Sequence, residues 1–391
     1  VIHEHSLAYL LGIEGIALLR AFTGEHDGAF VEARLAEVRR LLDEPSLTGA
    51  AVDVERVDVV DGYRAWAPTY DEGANAAFEF EAPVLEEILD TIPPGAALDA
   101  ACGTGRHTAL LARLGHRPIG VDASPDMLVR ARARVPEARF LRGDLNRLPV
   151  RDASVDTVVS GLALTHVPDL VPVLAEFARV LRPGGHLVIS DIHPEHVARG
   201  SVPPVRDAEG RPGRLVAHRH TVGDHVRAAL RAGLEVRRCE EPDLPEPPPD
   251  GPPPAGPGPW DTWPWSMAPL IPEASAAAAT GVPAILVLHH RRPAGGFRGW
   301  ILHGGNVRKE RCANYGTGTP MIRSSESAGS PRPSRLLVVT QRVPSGARTT
   351  ARSRPYSPCR WAFGAPASPS VSGTSQRRSP CRAAAHREPF A

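Results

Sequence analysis

A chain of 391 residues, 42% of them hydrophobic, can bury a sizeable core and fill two domains, which sets aside a peptide or a fully disordered protein. The net charge of +1 hides an asymmetry: from Pro293 onward only Glu310, Glu326 and Glu388 oppose many arginines, so the preceding body is acidic and does not favour a nucleic-acid partner. The five cysteines, Cys102, Cys239, Cys312, Cys359 and Cys381, form no C-x-x-C pair and no zinc-like cluster with histidine, so no metal ligands are expected, and the irregular spacing suits a reducing cytoplasm.

Residues 1–60 read as a helical N-terminal extension. Leu7, Leu10, Leu11, Glu14 and Leu18 fall at helical spacing, as do Phe30, Leu35, Val38, Leu41 and Leu42, and Pro45 closes the pair. Glu14 interrupts the first apolar run, which also lacks a basic start and a small-residue cleavage site; this argues against a signal peptide. Two helices alone bury little, so the pair is expected to dock on the main domain or on a second subunit as a homodimer. No run is long and clean enough to span a membrane.

Residues 61–292 are expected to form the main domain, with a lid at 61–91 and a Pro-rich excursion at 241–265. Strand patterns at 96–101, 118–122, 138–142, 155–160 and 186–192 alternate with helical ones. Ser124-Pro125 is a good helix start and Pro183-Gly184-Gly185 a good stop. Further strands at 234–239 and from Val282 follow a helix at 222–232. The pattern predicts an α/β fold: a doubly wound, mostly parallel, Rossmann-like sheet of seven strands whose ligand binds at the carboxyl ends. Residues 293–391, rich in Arg, Ser and Pro, are expected to be a disordered tail, with only Leu336, Leu337, Val338 and Val339 strand-like.

The chemistry concentrates at those strand ends. ALDAACGTGRHT carries Gly103 and Gly105 but no third glycine for a dinucleotide fingerprint, and no lysine for a P-loop. Asp99 would repel a phosphate but suits an ammonium group, and the two glycines let a ligand lie against the turn. Asp122, about twenty residues on, occupies the position for ribose hydroxyls, which by itself is compatible with NAD as well. Asp144 follows the third strand, where an acid or its neighbouring backbone can accept from an adenine amino group; a solvated turn acid is the alternative. His166 and His193, after the fourth and fifth strands, are the candidate general bases or substrate ligands, with His218 and His220 as weaker ones. Trp263-Pro264-Trp265 is a further candidate for the acceptor pocket, or a loop anchored on the core.

Taken in order and spacing, DAACGTG, VDASPDML, GDLNRLP, DTVVSGLALTHV and LRPGGHLVISD resemble the motifs of class I S-adenosylmethionine-dependent methyltransferases, in particular the small-molecule group that contains the ubiquinone/menaquinone biosynthesis methyltransferases. The resemblance spans residues 63–290. It implies S-adenosyl-L-methionine as cofactor, with Asp99 and the Gly103–Gly105 turn around its methionine portion and Asp122 on its ribose. Ala123 and Met127 would flank the adenine, Asp144 and Leu145 would meet the adenine edge, and Ser160 would lie under the methyl donor. Tyr63 and Tyr70 match tyrosines that similar enzymes place over the cofactor. Ala101 departs from the family, which often has glycine there. The implied reaction is in-line methyl transfer to a small molecule; a non-catalytic sensor or partner protein that binds the same cofactor is the alternative.

Overall fold

The computed structural model describes residues 1–72, 76–207, 209–242 and 254–295, and the backbone of 300–303 and 306–309. In chain order the elements are β1 (Ile2–His5), α1 (Ser6–Ala21), α2 (Gly28–Leu42), β2 (Ala51–Val57), α3 (Val59–Trp66), α4 (Ala76–Asp90), β3 (Ala96–Ala100), α5 (Arg106–Arg113), β4 (Arg117–Asp122), α6 (Pro125–Arg134), β5 (Arg139–Arg142) and β6 (Val155–Gly161). There follow α7 (Leu170–Val180), β7 (Leu181–Ile192), α8 (Pro194–Ala198), β8 (Pro204–Arg206), β9 (Pro212–Leu215), α9 (Val222–Arg231), β10 (Glu235–Glu240), α10 (Pro272–Ala279), β11 (Ile285–Arg291), β12 (Trp300–His303) and β13 (Asn306–Lys309).

The main sheet runs β10-β11-β7-β6-β3-β4-β5. Its five strands from β7 to β5 are parallel, and β11 joins antiparallel to β7. The alternation of side chains fills both faces. Leu98, Val158, Leu187 and Leu286 pack under Leu174 and Phe177 of α7. Ala97, Val159, Val188 and Val287 pack under Leu85 and Leu89 of α4 and Leu111 of α5. Local signals set the helix starts: the Ser124 hydroxyl caps α6, and Thr221 and Asp224 form a reciprocal capping box on α9. Among the described residues no helix is long and apolar enough to cross a membrane.

The N-terminal segment is more than a helical pair. β1 and β2 pair antiparallel, and β2 pairs parallel with β9, placing Glu55 opposite Gly213. Together with β8 they make a four-stranded sheet, β1-β2-β9-β8, that the apolar pattern does not announce. The strands are short, and β2 and β9 lie far apart in the chain. α1 packs on α10, and Leu10, Ile13, Leu41 and Val54 share a cluster with Trp260, Trp263, Met267 and Ile271. Trp263 is therefore core of this module rather than a wall of an acceptor pocket. A polar staple closes it: Arg214 donates to both carboxylate oxygens of Glu4 (2.8 and 2.9 Å) and to the carbonyls of Val202 and Trp263, while the Trp260 indole donates to Glu4 (2.7 Å).

Within the segment expected to be a tail, two short strands are described. β12 and β13 pair antiparallel, so eight residues assigned to that tail form a hairpin. The sequence reading passed over it because each strand has only four residues. Leu336–Val339 and the rest of 310–391 lie outside the described residues, as do 243–253 of the Pro-rich excursion.

Candidate active site

The chain runs outward from β3 through β4 to β5, then returns to place β6 on the other side of β3. This reversal opens a crevice at the carboxyl ends of β3 and β6, where open α/β sheets bind ligands. β3 ends in Asp99 and Ala100, both fully buried. The Thr108 hydroxyl donates to Asp99 Oδ2 (2.6 Å), while Asp99 Oδ1 is buried with no hydrogen-bond partner among the described residues. Burial raises the Asp99 pKa against the pull of His107 and Thr108. The turn that follows is left-handed at Ala101 (φ 59°), Gly103 (φ 52°) and Gly105 (φ 83°). A Cβ on Gly103 would meet nothing within 4 Å, whereas one on Gly105 would press on Ala131 of α6 at 3.2 Å.

Ala101 bears the steric cost of that conformation, about 1–2 kcal/mol for a non-glycine residue. Ala101→Gly is therefore expected to stabilise the fold by about 0.5–1 kcal/mol after glycine's extra unfolded-state entropy is deducted. A rise in the denaturation midpoint would show it; a fall would mean that the Ala101 methyl is needed for packing.

Asp122 closes the turn from the side. Its Oδ2 accepts from the Gly103 amide and its Oδ1 from the Ser124 amide, both at 2.8 Å. Burial raises its pKa, and these amide donors oppose the rise. Met127 is buried on α6, and the exposed Ala123 offers its carbonyl to Arg142 (3.3 Å). Asp144 is exposed and accepts from the backbone and side-chain nitrogens of Asn146 (2.6 and 2.9 Å), an arrangement that shapes its own turn. Leu145 packs against the core cluster under α7. Ser160 is buried, and its hydroxyl has no partner among the described residues. Because Asp99 pairs with Val159 rather than Ser160, Asp99 and Ser160 project from opposite faces of the sheet.

A polar group that the motifs did not reveal fills the Asp99 face. Glu81 of α4 is fully buried, ion-paired with Arg106, 3.2 Å from His107 Nε2, and accepts from the Ser190 hydroxyl. Burial would raise its pKa, but His107 and Arg106 outweigh that and hold it at about 2. Gly161 makes the approach feasible: a Cβ there would lie 2.0 Å from His107 Cε1 and 2.6 Å from Glu81 Oε1. Asp191 at the end of β7 is also buried and accepts from the Thr165 amide (2.6 Å); burial pushes its carboxyl up to about 7. The only sequence signal for either acid was its place: Glu81 in the lid segment, Asp191 after an apolar strand.

The lid sits against this crevice. Tyr63 stacks on Trp66, and Tyr70 meets Tyr63, Trp66 and Phe78 at ring-centroid distances of 6.0, 5.0 and 5.9 Å. Asp71 fastens the lid by accepting from the Thr104 hydroxyl (2.9 Å) and pairing with Arg134 (2.9 Å). The Tyr63 hydroxyl is 3.0 Å from His166 Nε2, and His166 Nδ1 is 2.7 Å from the Val216 carbonyl. A carbonyl only accepts, so Nδ1 carries the proton and Nε2 accepts from Tyr63. Burial lowers the pKa of His166, which keeps it neutral, and raises that of Tyr63, which keeps its hydroxyl protonated.

Both ends of this chain come from the four-stranded sheet. β2 runs directly into α3 with Tyr63, and β9 directly into Val216. His193 takes a different place. Its Nδ1 accepts from the Glu195 amide (3.3 Å), capping α8, and its Nε2 is 2.9 Å from Glu241. Both ring nitrogens are thus committed to structure, which removes the ground for a base role at His193. His220 is bonded to the Val167 carbonyl (2.6 Å) and stacks on His218.

A methyltransferase-domain family profile matches residues 98–189. An uncharacterized methyltransferase of Emericella nidulans is 30% identical over 223 residues, covering 47% of this chain and 78% of its own length. A malonyl-[acyl-carrier protein] O-methyltransferase of Serratia marcescens is 33% identical over 165 residues, covering 41% of this chain and 61% of its own. A demethylmenaquinone methyltransferase of Beutenbergia cavernae is 38% identical over 105 residues, covering 27% and 44%. The chain thus spans less than two thirds of the second and third relatives.

Proposed function

Because this chain belongs to the S-adenosylmethionine-dependent methyltransferases, we propose that it transfers a methyl group to a small-molecule acceptor by in-line displacement. The observation that carries the cofactor assignment to residues is the orphaned oxygen of Asp99. A buried carboxylate oxygen without a donor, beside a glycine turn with open space at Gly103, suits an ammonium-bearing ligand lying on backbone. In this reading Asp99 and the turn of Ala101, Gly103 and Gly105 hold the amino-acid end, and Asp122 accepts from the ribose hydroxyls. Ala123, Met127 and Leu145 border the adenine, while Ser160, Tyr70 and Tyr63 surround the reacting end. Asp144 contributes through its turn backbone, since its carboxylate is occupied by Asn146.

When bound, S-adenosylmethionine supplies a methyl group already activated by a positive sulfur. The residues then have to align the acceptor, exclude water and, for an acceptor that must lose a proton, receive it. His166 has the accepting nitrogen for that task; His193 does not. A non-catalytic binding role is not favoured, because the relatives are named as methyltransferases. The demethylmenaquinone named for one of those relatives supports the small-molecule class. Placement in the cytoplasm rests on the cysteine pattern, and a homodimer through α1 and α2 is a further proposal.

Titration calorimetry tests the assignment. S-adenosylhomocysteine is expected to bind in the micromolar range and NADH not at all. NADH binding without S-adenosylhomocysteine binding would overturn it.

A further inference from the structure

We propose that the outer face of α1 is the seam at which two copies of this chain dimerise, with the two α1 helices antiparallel and Gly12 of each copy seated against Phe22 of the other. This gives the homodimer proposed above a face and a register, and it is independent of the methyl-transfer reading.

Three observations carry it. First, α1 is apolar all round. Its two charged residues are both engaged within the chain. Glu14 is buried against Arg34, and Arg20 donates to the Thr280 carbonyl (2.7 Å) and pairs with Glu25. The inner face, Leu10, Ile13 and Ala17, is buried in the cluster that includes α10. The opposite face, Ala8, Gly12, Gly15, Leu19 and Phe22, carries no charge, yet Leu19 is 66% and Phe22 90% exposed. A helix with no polar face belongs inside a larger apolar assembly.

Second, that face is complementary to itself. Its residues follow at steps of four, three, four and three, the spacing of a helix–helix seam. A Cβ on Gly12 or Gly15 would meet nothing within 4 Å among the described residues, so each glycine is an open notch. When two such helices lie antiparallel about a two-fold axis between Gly15 and Leu19, Gly12 meets Phe22 of the second copy and Gly15 meets its Leu19. Every large side chain then enters a notch, and each contact occurs twice, as a closed dimer requires. A parallel seam would set notch against notch and ring against ring. Any other partner would have to supply both notches and large side chains at this spacing; a second copy supplies both.

Third, the charges agree. The short connection between the helices lays α2 antiparallel beside α1, with Arg34 paired to Glu14, so Arg39 and Arg40 lie level with the start of α1. In the antiparallel seam both α2 helices fall on the same side. The exposed Arg39 and Arg40 then come level with the α1–α2 turn of the second copy, which carries the exposed Glu25 and Asp27.

Sedimentation velocity of the full chain at micromolar concentration tests the seam, with a reductant present to remove disulfide links through the exposed Cys239. The wild type is expected to sediment as a dimer. Gly12→Phe is expected to weaken dimerisation at least about tenfold by setting two rings in one layer. Phe22→Gly is expected to weaken it by about as much by leaving the notch empty. Both positions are exposed, and phenylalanine favours a helix more than glycine does, so the folded copy is left intact. The double variant Gly12→Phe/Phe22→Gly exchanges notch and ring and should recover the wild-type dissociation constant within about threefold. A mere loss of apolar surface would not be reversed in that way. A monomeric wild type would give the face to another occupant, residues 310–391 or a lipid surface, and overturns the proposal. So does a dimer whose affinity ignores Gly12→Phe, or a double variant that fails to recover. Calorimetry with S-adenosylhomocysteine tests the methyltransferase reading separately, whichever of these results is found.

Discussion

Asp122→Ala is expected to weaken S-adenosylmethionine binding by at least about 150-fold, measured by calorimetry. In the proposed reading each charge-assisted hydrogen bond from a ribose hydroxyl to the carboxylate contributes about 1.5–3 kcal/mol, and the substitution removes both. It also removes the acceptor for the Gly103 and Ser124 amides, so the turn itself loosens. Asp122→Asn separates the two effects. It keeps an oxygen for one amide but replaces the other with a donor, so it should bind more tightly than Asp122→Ala and more weakly than the wild type. Unchanged binding in Asp122→Ala, within about threefold, would mean that the ribose is held elsewhere.

Glu4→Ala is expected to cost about 3–5 kcal/mol of stability in urea denaturation, because it leaves the buried Arg214 guanidinium without its counter-charge. The remaining carbonyl partners, Val202 and Trp263, do not neutralise it. A Glu4→Ala/Arg214→Met double variant should recover most of the loss, since a well-packed apolar side chain replaces the stranded charge. A cost below about 1 kcal/mol for Glu4→Ala would show that the staple is incidental. The consequence reaches the site: Arg214 lies on β9, two residues before the carbonyl that orients His166. Glu4→Ala should therefore also shift the His166 NMR signals even at temperatures where the chain stays folded.

The main sheet was largely legible because its signals are local. Apolar runs bounded by glycines and caps place β3, β4, β6 and β7 within a few residues. The one large offset is at β7, which begins at Leu181 where the Pro-Gly-Gly signal had suggested a helix stop. The acids at strand ends, Asp99 and Asp122, were legible for the same reason, since a strand end facing a glycine turn has a known place in a doubly wound sheet. The four-stranded sheet was not legible. β1 is four residues and β8 three, and their pairing depends on segments that fold back from the far side of the chain. Glu81 was missed because a glutamate on a helix reads as a solvated residue until Gly161 is seen to admit it.

By itself the sequence determined the class of fold, the strand ends that open the crevice and the acids placed at them. Those features repeat at fixed offsets from local turns, and the resemblance to the methyltransferase motifs rests on the same offsets. Only the tertiary structure decided the partners of the candidate histidines. It paired His166 with Tyr63 and Val216, gave His193 to the cap of α8, and turned an N-terminal pair of helices into part of a sheet that carries both partners of His166. Side chains about 50 and 100 residues apart meet there, and which of a histidine's nitrogens accepts depends on the partner of the other. No local periodicity encodes that choice.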